Sequence, residues 1–316
     1  MKSGDLQGSV WPYTLRHSAI WLWCPASSPV LQPLAPGKIL SRTGRTTIRS
    51  PSSSYPQDGR TAPLRTLLGG AYGVTLGRIK AQGGEKARIG MAVLMWISHS
   101  RLPLQADEMR YAIAIQIESN DLNSNDVPAI STLLGCCQGL STMEKGTSTI
   151  RLIHFTPQEY LCTHPDLFDR AHSTMAETCL TYLNFQHIKD LSAGSSPDPR
   201  GRPFLEYSSL YWGTHMRMQL SDRASAFALQ LLDQFEGHIS AKILWDSIRE
   251  KLISREFLWF RTPDHRGFSA LHCISYFGIA NVADTLIKMN RWNVNETDGV
   301  GMTPLVLAAR QGLKWW

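Results

Sequence analysis

The first residues to consider are those whose types and spacing could support catalysis. Cys136 and Cys137 are adjacent, and His154 follows as a possible base for a thiolate nucleophile. Both cysteines lie in the apolar run Leu133-Leu-Gly-Cys-Cys, whereas a reactive thiolate needs an electropositive and partly exposed setting. We therefore expect both cysteines to pack in the core, and we predict no catalytic residues and no enzymatic activity.

Motifs for phosphate and metal binding are also missing from the sequence. A P-loop requires Gly-x4-Gly-Lys-Ser/Thr, and the segment Ala35-Pro-Gly-Lys38 lacks both the leading glycine and the Ser/Thr that would meet magnesium. The six cysteines contain no CxxC pair and no regular spacing, which argues against a zinc cluster or a disulfide framework. We expect no cofactor, no metal and no small-molecule substrate.

Positive charge is concentrated in the first part of the chain. The formal net charge of the 316 residues is +6, yet residues 1–90 hold twelve Lys/Arg against three Asp/Glu. Residues 1–76 are also rich in Ser, Pro and Gly, so we expect them to form a disordered basic segment. No run approaches the roughly eighteen apolar residues of a membrane span. The prediction is a cytoplasmic protein without a membrane partner.

Three helices and a hairpin are predicted within residues 77–165. Apolar residues recur at helical spacing from Ile89, and two further helices are expected at residues 105–115 and 127–140. Residues 141–154 then read as two short strands around a Lys-Gly turn. Three helices followed by a small hairpin is the order of a winged helix. The predicted fold class is mainly α.

A winged helix with a basic tail could bind DNA, and this is the alternative from a different class of function. The predicted third helix, residues 127–140, carries no Lys or Arg. A recognition helix reads the groove through cationic or amide side chains. We therefore expect nucleic acid not to be the partner.

Residues 166–260 are predicted to form a helical connector. Thr174-Met-Ala-Glu177 has the spacing of a capping box that would open its first helix. A Pro- and Gly-containing loop is expected at residues 192–202. Three further helices are predicted, at residues 210–218, 224–235 and 241–253. In the second of them an apolar stripe is expected, formed by Ala224, Phe227, Ala228, Leu231 and Phe235.

An internal repeat occupies the end of the chain. Asp264-His-Arg-Gly-Phe-Ser-Ala-Leu-His272 is echoed by Asp298-Gly-Val-Gly-Met-Thr-Pro-Leu-Val306 at an offset of 34 residues. This resembles the ankyrin repeat, whose period is about 33 and whose signature is Thr-Pro-Leu-His. Residues 261–316 would then hold one complete and one truncated repeat, an incomplete solenoid. Either the upstream helices act as its cap or the chain is truncated.

The ankyrin resemblance assigns roles to the matched positions. Ser269 and Thr303 can cap helices, Pro304 suits a first turn, and His272 is expected to bond to loop backbone. The structural repeat positions are Gly267, Leu271, His272, Gly278, Asn295, Gly301, Thr303, Pro304, Leu305 and Gly312. The expected protein-binding residues at the hairpin tips are Asp264, His265, Arg266, Asp298, Val300 and Met302.

A wider resemblance runs from about residue 77 to residue 312. The motifs that carry it are Met91-Ala-Val-Leu-Met-Trp-Ile-Ser-His-Ser100, Arg151-Leu-Ile-His-Phe-Thr-Pro-Gln-Glu-Tyr-Leu161 and Leu271-His-Cys-Ile-Ser-Tyr-Phe-Gly278. They are similar to the C-terminal half of fungal NACHT-type, NLR-like proteins, in which a nucleotide module precedes a winged-helix region and ankyrin repeats. The resemblance implies a non-enzymatic interaction fragment of a signalling or nonself-recognition protein, with an unidentified protein partner. The alternative is a truncated, non-functional paralogue.

His154 is the one residue for which the wider resemblance implies contact with a cofactor. In related nucleotide-switch proteins a histidine at the end of the wing hairpin reaches the bound diphosphate, and Leu152-Ile-His154 matches that placement. Without a nucleotide module in this chain, the role would require a module in trans. The other interpretation is a histidine at a strand end that bonds to backbone.

Overall fold

The structure is a computed structural model, and it describes residues 61–191, 201–256 and 265–312. These ranges contain thirteen α-helices and one two-stranded sheet. The mainly α prediction is therefore confirmed for the described part of the chain. None of the described helices is both long enough and apolar enough to cross a membrane.

The first described helix, α1, spans Thr61–Ala81 and corrects the expected boundary of the disordered segment. Residues 61–76 are helical, whereas residues 1–60 lie outside the described part. The helix is held by tertiary packing: Leu76 and Ile79 are buried, and the rings of Tyr72 and Tyr160 lie 5.6 Å apart. Its apolar residues alternate with glycines, so no helical period was visible in the sequence.

Three helices then follow in the predicted order, α2 at Gly84–His99, α3 at Ala106–Ala114 and α4 at Ile130–Cys136. The third is shorter at both ends than predicted. It starts after Pro128, and it ends where Gln138 and Gly139 take positive φ angles of 49° and 80°, a conformation that stops a helix.

The hairpin consists of β1 at Ser141–Glu144 and β2 at Thr149–Leu152, paired antiparallel with Met143 opposite Ile150. A third stretch joins this sheet, because Gln105 forms a bridge with Thr149. The hairpin was predicted, but the added bridge, which ties the start of α3 to the wing, was not.

A layer of helices continues the chain. Its members are α5 Phe155–Thr163, α6 Ala171–Leu183, α7 Gln186–Lys189, α8 Leu205–Met218, α9 Asp222–Leu232 and α10 Ile239–Glu256. The predicted apolar stripe of α9 is confirmed, since Ala224, Ala228 and Leu231 are all buried. The predicted loop at residues 192–202 lies largely outside the described residues.

The expected capping box at Thr174 is wrong, because α6 already begins at Ala171. Glu177 is instead a buried carboxylate that accepts a hydrogen bond of 2.7 Å from Ser221 Oγ. Arg170 and Arg223 lie 3.5 and 3.8 Å from its oxygens. The residue therefore links α6 to the start of α9 across the helical layer.

The last helices are α11 at Ala270–Phe277, α12 at Ala280–Lys288 and α13 at Pro304–Arg310. The rings of Trp212 in α8 and Phe277 in α11 lie 5.1 Å apart. Those of Phe235 and Phe268 lie 6.2 Å apart. Upstream helices thus cover one face of α11, as one of the two sequence-based interpretations required.

The described cysteines fall into two groups. Cys136, Cys137, Cys179 and Cys273 are free and buried. Cys162 is disulfide-bonded.

Candidate functional site

The two copies of the repeat adopt the same backbone conformations at matched positions. Gly267 and Gly301 have φ angles of 82° and 80°, and Gly278 and Gly312 have φ angles of 71° and 70°. Such positive φ values favour glycine, because other residues are strained there. The sequence repeat at an offset of 34 residues is therefore also a repeat of local structure.

Side-chain caps also start α11 and α13 at matched positions. Thr303 Oγ1 accepts a hydrogen bond from the Val306 amide at 3.4 Å, and Pro304 follows as the first helical residue. In α11 the equivalent residue, Ser269, forms a capping box with His272. The predicted capping residues therefore do begin both helices.

His272 joins the two copies of the repeat. Its Nε2 lies 3.0 Å from the carbonyl oxygen of Met302, which can only accept, so Nε2 carries the proton. Its Nδ1 is therefore the acceptor for the Ser269 amide at 3.2 Å. Burial is the main cause that lowers the pKa of His272, and the bond to Met302 opposes it. The ring is neutral near pH 7 and fixed in one tautomer.

Asp298 organises the turn that His272 contacts. Its Oδ1 accepts hydrogen bonds from the amides of Val300 at 3.0 Å and Met302 at 2.8 Å. Only 5% of Asp298 and 8% of Met302 are exposed. The prediction that these two side chains contact a partner is therefore corrected: one caps a turn and the other packs in the core.

The remaining predicted partner-binding residues are placed differently. Asp264 lies outside the described residues. Arg266 is exposed, and His265 and Val300 are half-buried, Val300 against the core. Gly267 approaches the next turn so closely that a Cβ there would lie 2.7 Å from the Thr297 carbonyl oxygen.

Three other repeat positions also have defined settings. Leu271 is buried in the core, whereas 56% of Leu305 is exposed. The Asn295 amide donates to Asn293 Oδ1 at 3.0 Å, which shapes the turn before Asp298.

His154 lies at the junction of the wing and α5. Its Nδ1 accepts a hydrogen bond of 3.3 Å from the Thr156 amide and so caps this helix. Its ring lies 4.3 Å from that of Phe155, which is 68% exposed. The bond to backbone is the one expected of a structural histidine, and the role of nucleotide sensor stays a prediction.

Cys136 and Cys137 occupy the core at the end of α4, as predicted. Burial raises the pKa of Cys137 to about 11 and also raises that of Cys136. The thiols are therefore protonated and weakly nucleophilic near neutral pH, and His154 is exposed at the surface.

One constellation was missed by sequence reasoning. His99, His172 and His215 come from α2, α6 and α8, and Tyr207 lies beside them with its hydroxyl 2.9 Å from His215 Nε2. Neighbouring imidazole rings lie 5.4 and 5.2 Å apart. No spacing rule could have grouped these residues, because helix packing alone brings them together.

Comparison with known proteins places one part of the chain. Residues 78–179 match the family model described as GPI inositol-deacylase, winged helix domain. Searches of curated proteins and of solved structures found no match. The matched segment runs from the end of α1 into α6 and contains the three helices and the hairpin. The predicted winged helix is therefore confirmed, and this segment is similar to the winged-helix domain of GPI inositol-deacylase.

Proposed function

We propose that this chain is a non-enzymatic protein-interaction module, in which the winged-helix domain and the helical layer support an ankyrin-type repeat pair that binds a protein partner. The observation that carries the proposal is the repeat of positive φ angles at Gly267/Gly301 and Gly278/Gly312. Together with the bond from His272 to the Met302 carbonyl, it gives a rigid turn that precedes α13 and is tied to α11.

Rigidity matters because a preordered surface loses less conformational entropy when a partner binds. The turn at residues 298–302 is held by the Asp298 carboxylate and by the hydrogen bond of 2.9 Å from the Asp298 amide to the Met302 carbonyl. Thr297 and Arg266 are exposed beside it. We propose the exposed residues beside this turn, Thr297 and Arg266, as the contact surface.

The composition of α4 in the winged-helix domain favours a protein partner over DNA. Helix α4 consists of Ile-Ser-Thr-Leu-Leu-Gly-Cys and offers only the hydroxyls of Ser131 and Thr132 among its exposed side chains. Without a cation on this helix, the phosphate contacts that provide most non-specific DNA affinity have no source there.

The finer part of the proposal is the biological setting. The quoted motifs and the winged-helix match together support a place among NLR-like signalling proteins of fungal type. In that setting His154 would sense a nucleotide only if another chain supplied the binding module. Its Nδ1 is used by the Thr156 amide, so Nε2 would be the atom that contacts phosphate.

The test compares two charge reversals in the full chain. Arg266→Glu changes the proposed surface, and Lys86→Glu changes an exposed lysine at the start of α2 as the control. We expect quantitative affinity purification to recover one protein with wild type and Lys86→Glu, and titration of that purified protein to show at least about tenfold weaker binding to Arg266→Glu. Equal affinity for both variants would contradict the proposed surface.

DNA binding, the alternative function, is tested by a separate measurement. Fluorescence anisotropy with a random-sequence DNA duplex should detect no binding at low salt. Binding that weakens steeply between about 50 and 200 mM salt would instead support a nucleic-acid-binding winged helix.

A further inference from the structure

His172, His215 and Tyr207 form a hydrogen-bonded chain in the helical layer, and His99 of the winged-helix domain packs its ring edge against His172. His99 is the last residue of α2, His172 lies in the first turn of α6, and His215 lies in α8. His172 Nδ1 and His215 Nδ1 are 2.9 Å apart, within hydrogen-bond distance. This bond links α6 to α8, and the ring contact of His99 adds α2.

The direction of each hydrogen bond follows from the backbone amide at one end of the chain, because an amide N–H can only donate. The Arg101 amide donates to the Tyr207 hydroxyl oxygen at 3.1 Å, which leaves the Tyr207 proton for His215 Nε2 at 2.9 Å. His215 in its neutral form then carries its proton on Nδ1 and donates it to His172 Nδ1. Each group has one defined proton position, an assignment made from the network.

His99 is fixed separately at the edge of the chain. Its Nδ1 lies 2.8 Å from Ser98 Oγ and 3.2 Å from the Met95 carbonyl oxygen. Because Ser98 Oγ donates its proton to the Leu94 carbonyl oxygen at 2.7 Å, the proton on this side of the ring is assigned to His99 Nδ1. Its ring lies 5.6 Å from Phe168 and 5.4 Å from His172, edge to face in both cases. A neutral ring packs well in this position.

A further proton has no acceptor inside the chain. On His172 Nδ1 it would face the proton of His215 Nδ1 at 2.9 Å. On His215 Nε2 it would face the Tyr207 hydroxyl proton, and Tyr207 is buried. Either proton therefore breaks the chain at one of its links.

The charges around the chain oppose a proton as well. Arg101 acts on both His172 and His215 with its positive charge, and Glu108 acts on Tyr207. Burial, followed by the charges of His99 and Arg101, lowers the pKa of His172 to about 4. Burial likewise lowers the pKa of His215 and of His99.

A metal site is a poorer account of the same residues. The two Nδ1 atoms already face each other, and within the described ranges no group of three metal-ligating side chains converges. The ring of Trp96 in α2 lies 5.7 Å from that of Phe204 in the same interface. Proton uptake is therefore the chemical change to which the geometry of the chain points.

We propose that His172, hydrogen-bonded to His215 and packed against His99, is an acid-sensitive latch, and that proton uptake by His172 breaks the bond between α6 and α8 and, by repulsion from Arg101, loosens the C-terminal end of α2. The sign follows from linkage: a histidine kept neutral in the folded state stabilises it above the unfolded pKa of about 6.5, and this contribution is lost as pH falls toward the folded value. Release therefore occurs on acidification.

Hydrogen–deuterium exchange of the amides at residues 96–101 tests the latch in the full chain. With His172 at a pKa of about 4 when closed and about 6.5 when open, the local opening constant should rise about twentyfold between about pH 7 and pH 5, after correction for intrinsic exchange. In His172→Gln, whose amide can still hydrogen-bond, this rise should be much smaller, and the remainder reflects the lowered pKa values of His99 and His215.

The control is His187→Gln, since His187 is an exposed histidine on α7 paired with Asp121 at 2.9 Å. It should keep the full pH response. An opening constant at residues 96–101 that does not change with pH in wild type, or that changes equally in His172→Gln, overturns the latch.

A measurement on the unaltered protein covers the case in which His172→Gln does not fold. Imidazole 15N chemical shifts should show His172 Nδ1 without a proton and His215 Nδ1 with one near pH 7. They should show no titration of His172 above about pH 5. Titration of His172 near about pH 6.5 would refute the proposal without any variant.

Discussion

The contact between α8 and α11 makes Gly213→Ala a sharp test of how the C-terminal repeat is attached. A Cβ built at Gly213 lies 2.2 Å from Cδ2 and 2.3 Å from Cγ of Phe277. Phe277 is 3% exposed, so its ring has no free space into which to turn. The methyl group can be accommodated only if the ring or a whole helix moves by more than an ångström.

Two opposing terms set the magnitude. Alanine in a helix interior is favoured over glycine by about 1 kcal/mol, whereas overpacking a tight core costs about 1–3 kcal/mol or more. Because the overlap is with the middle of a rigid ring, we take the upper end of that range. The free energy of unfolding should fall by about 1–2 kcal/mol, which for a domain of this size lowers Tm by about 2–4 °C per kcal/mol.

The assay is urea unfolding followed by circular dichroism, with Gly77→Ala as the matched control. Gly77 is exposed within α1, and a Cβ there meets nothing within 4 Å. That substitution should therefore raise stability by up to about 1 kcal/mol. The reasoning is refuted if Gly213→Ala is as stable as wild type, or if the smaller side chain of Phe277→Leu recovers none of the loss in the double variant.

Two further predictions concern the repeat and the cysteines. Gly267→Ala should lower the unfolding free energy by about 1–3 kcal/mol more than Gly301→Ala in the same assay. Both glycines have φ near 80°, but only a Cβ at Gly267 meets the Thr297 oxygen, at 2.7 Å. Equal losses would show that backbone strain alone matters. A thiol reagent should modify the four free buried cysteines only as fast as the protein opens, because they are buried and burial raises the pKa of Cys137 to about 11. Rapid labelling of the native protein near neutral pH would contradict this.

Features encoded by neighbouring residues were predictable from the sequence. The apolar stripe of α9, the hairpin after α4 and the caps at Ser269 and Thr303 each depend on spacings of a few residues. The settings of Gly213 and α1 were not predictable. In the sequence Gly213 looks like an ordinary helix-weakening residue, and only the structure places Phe277 against it. Helix α1 has no apolar period in its sequence, since it is stabilised by contacts with other helices.

The histidines show the same contrast between positions that the sequence could predict and positions that it could not. His154 and His272 each accept a hydrogen bond from a backbone amide two or three residues away; the ankyrin resemblance predicted a backbone bond for His272, and a backbone bond was one of two interpretations for His154. His172 and His215 are 43 residues apart and meet only because α6 packs on α8. A substitution at a capping histidine should disturb one helix start, whereas a substitution at His172 or His215 should change how α6 packs on α8.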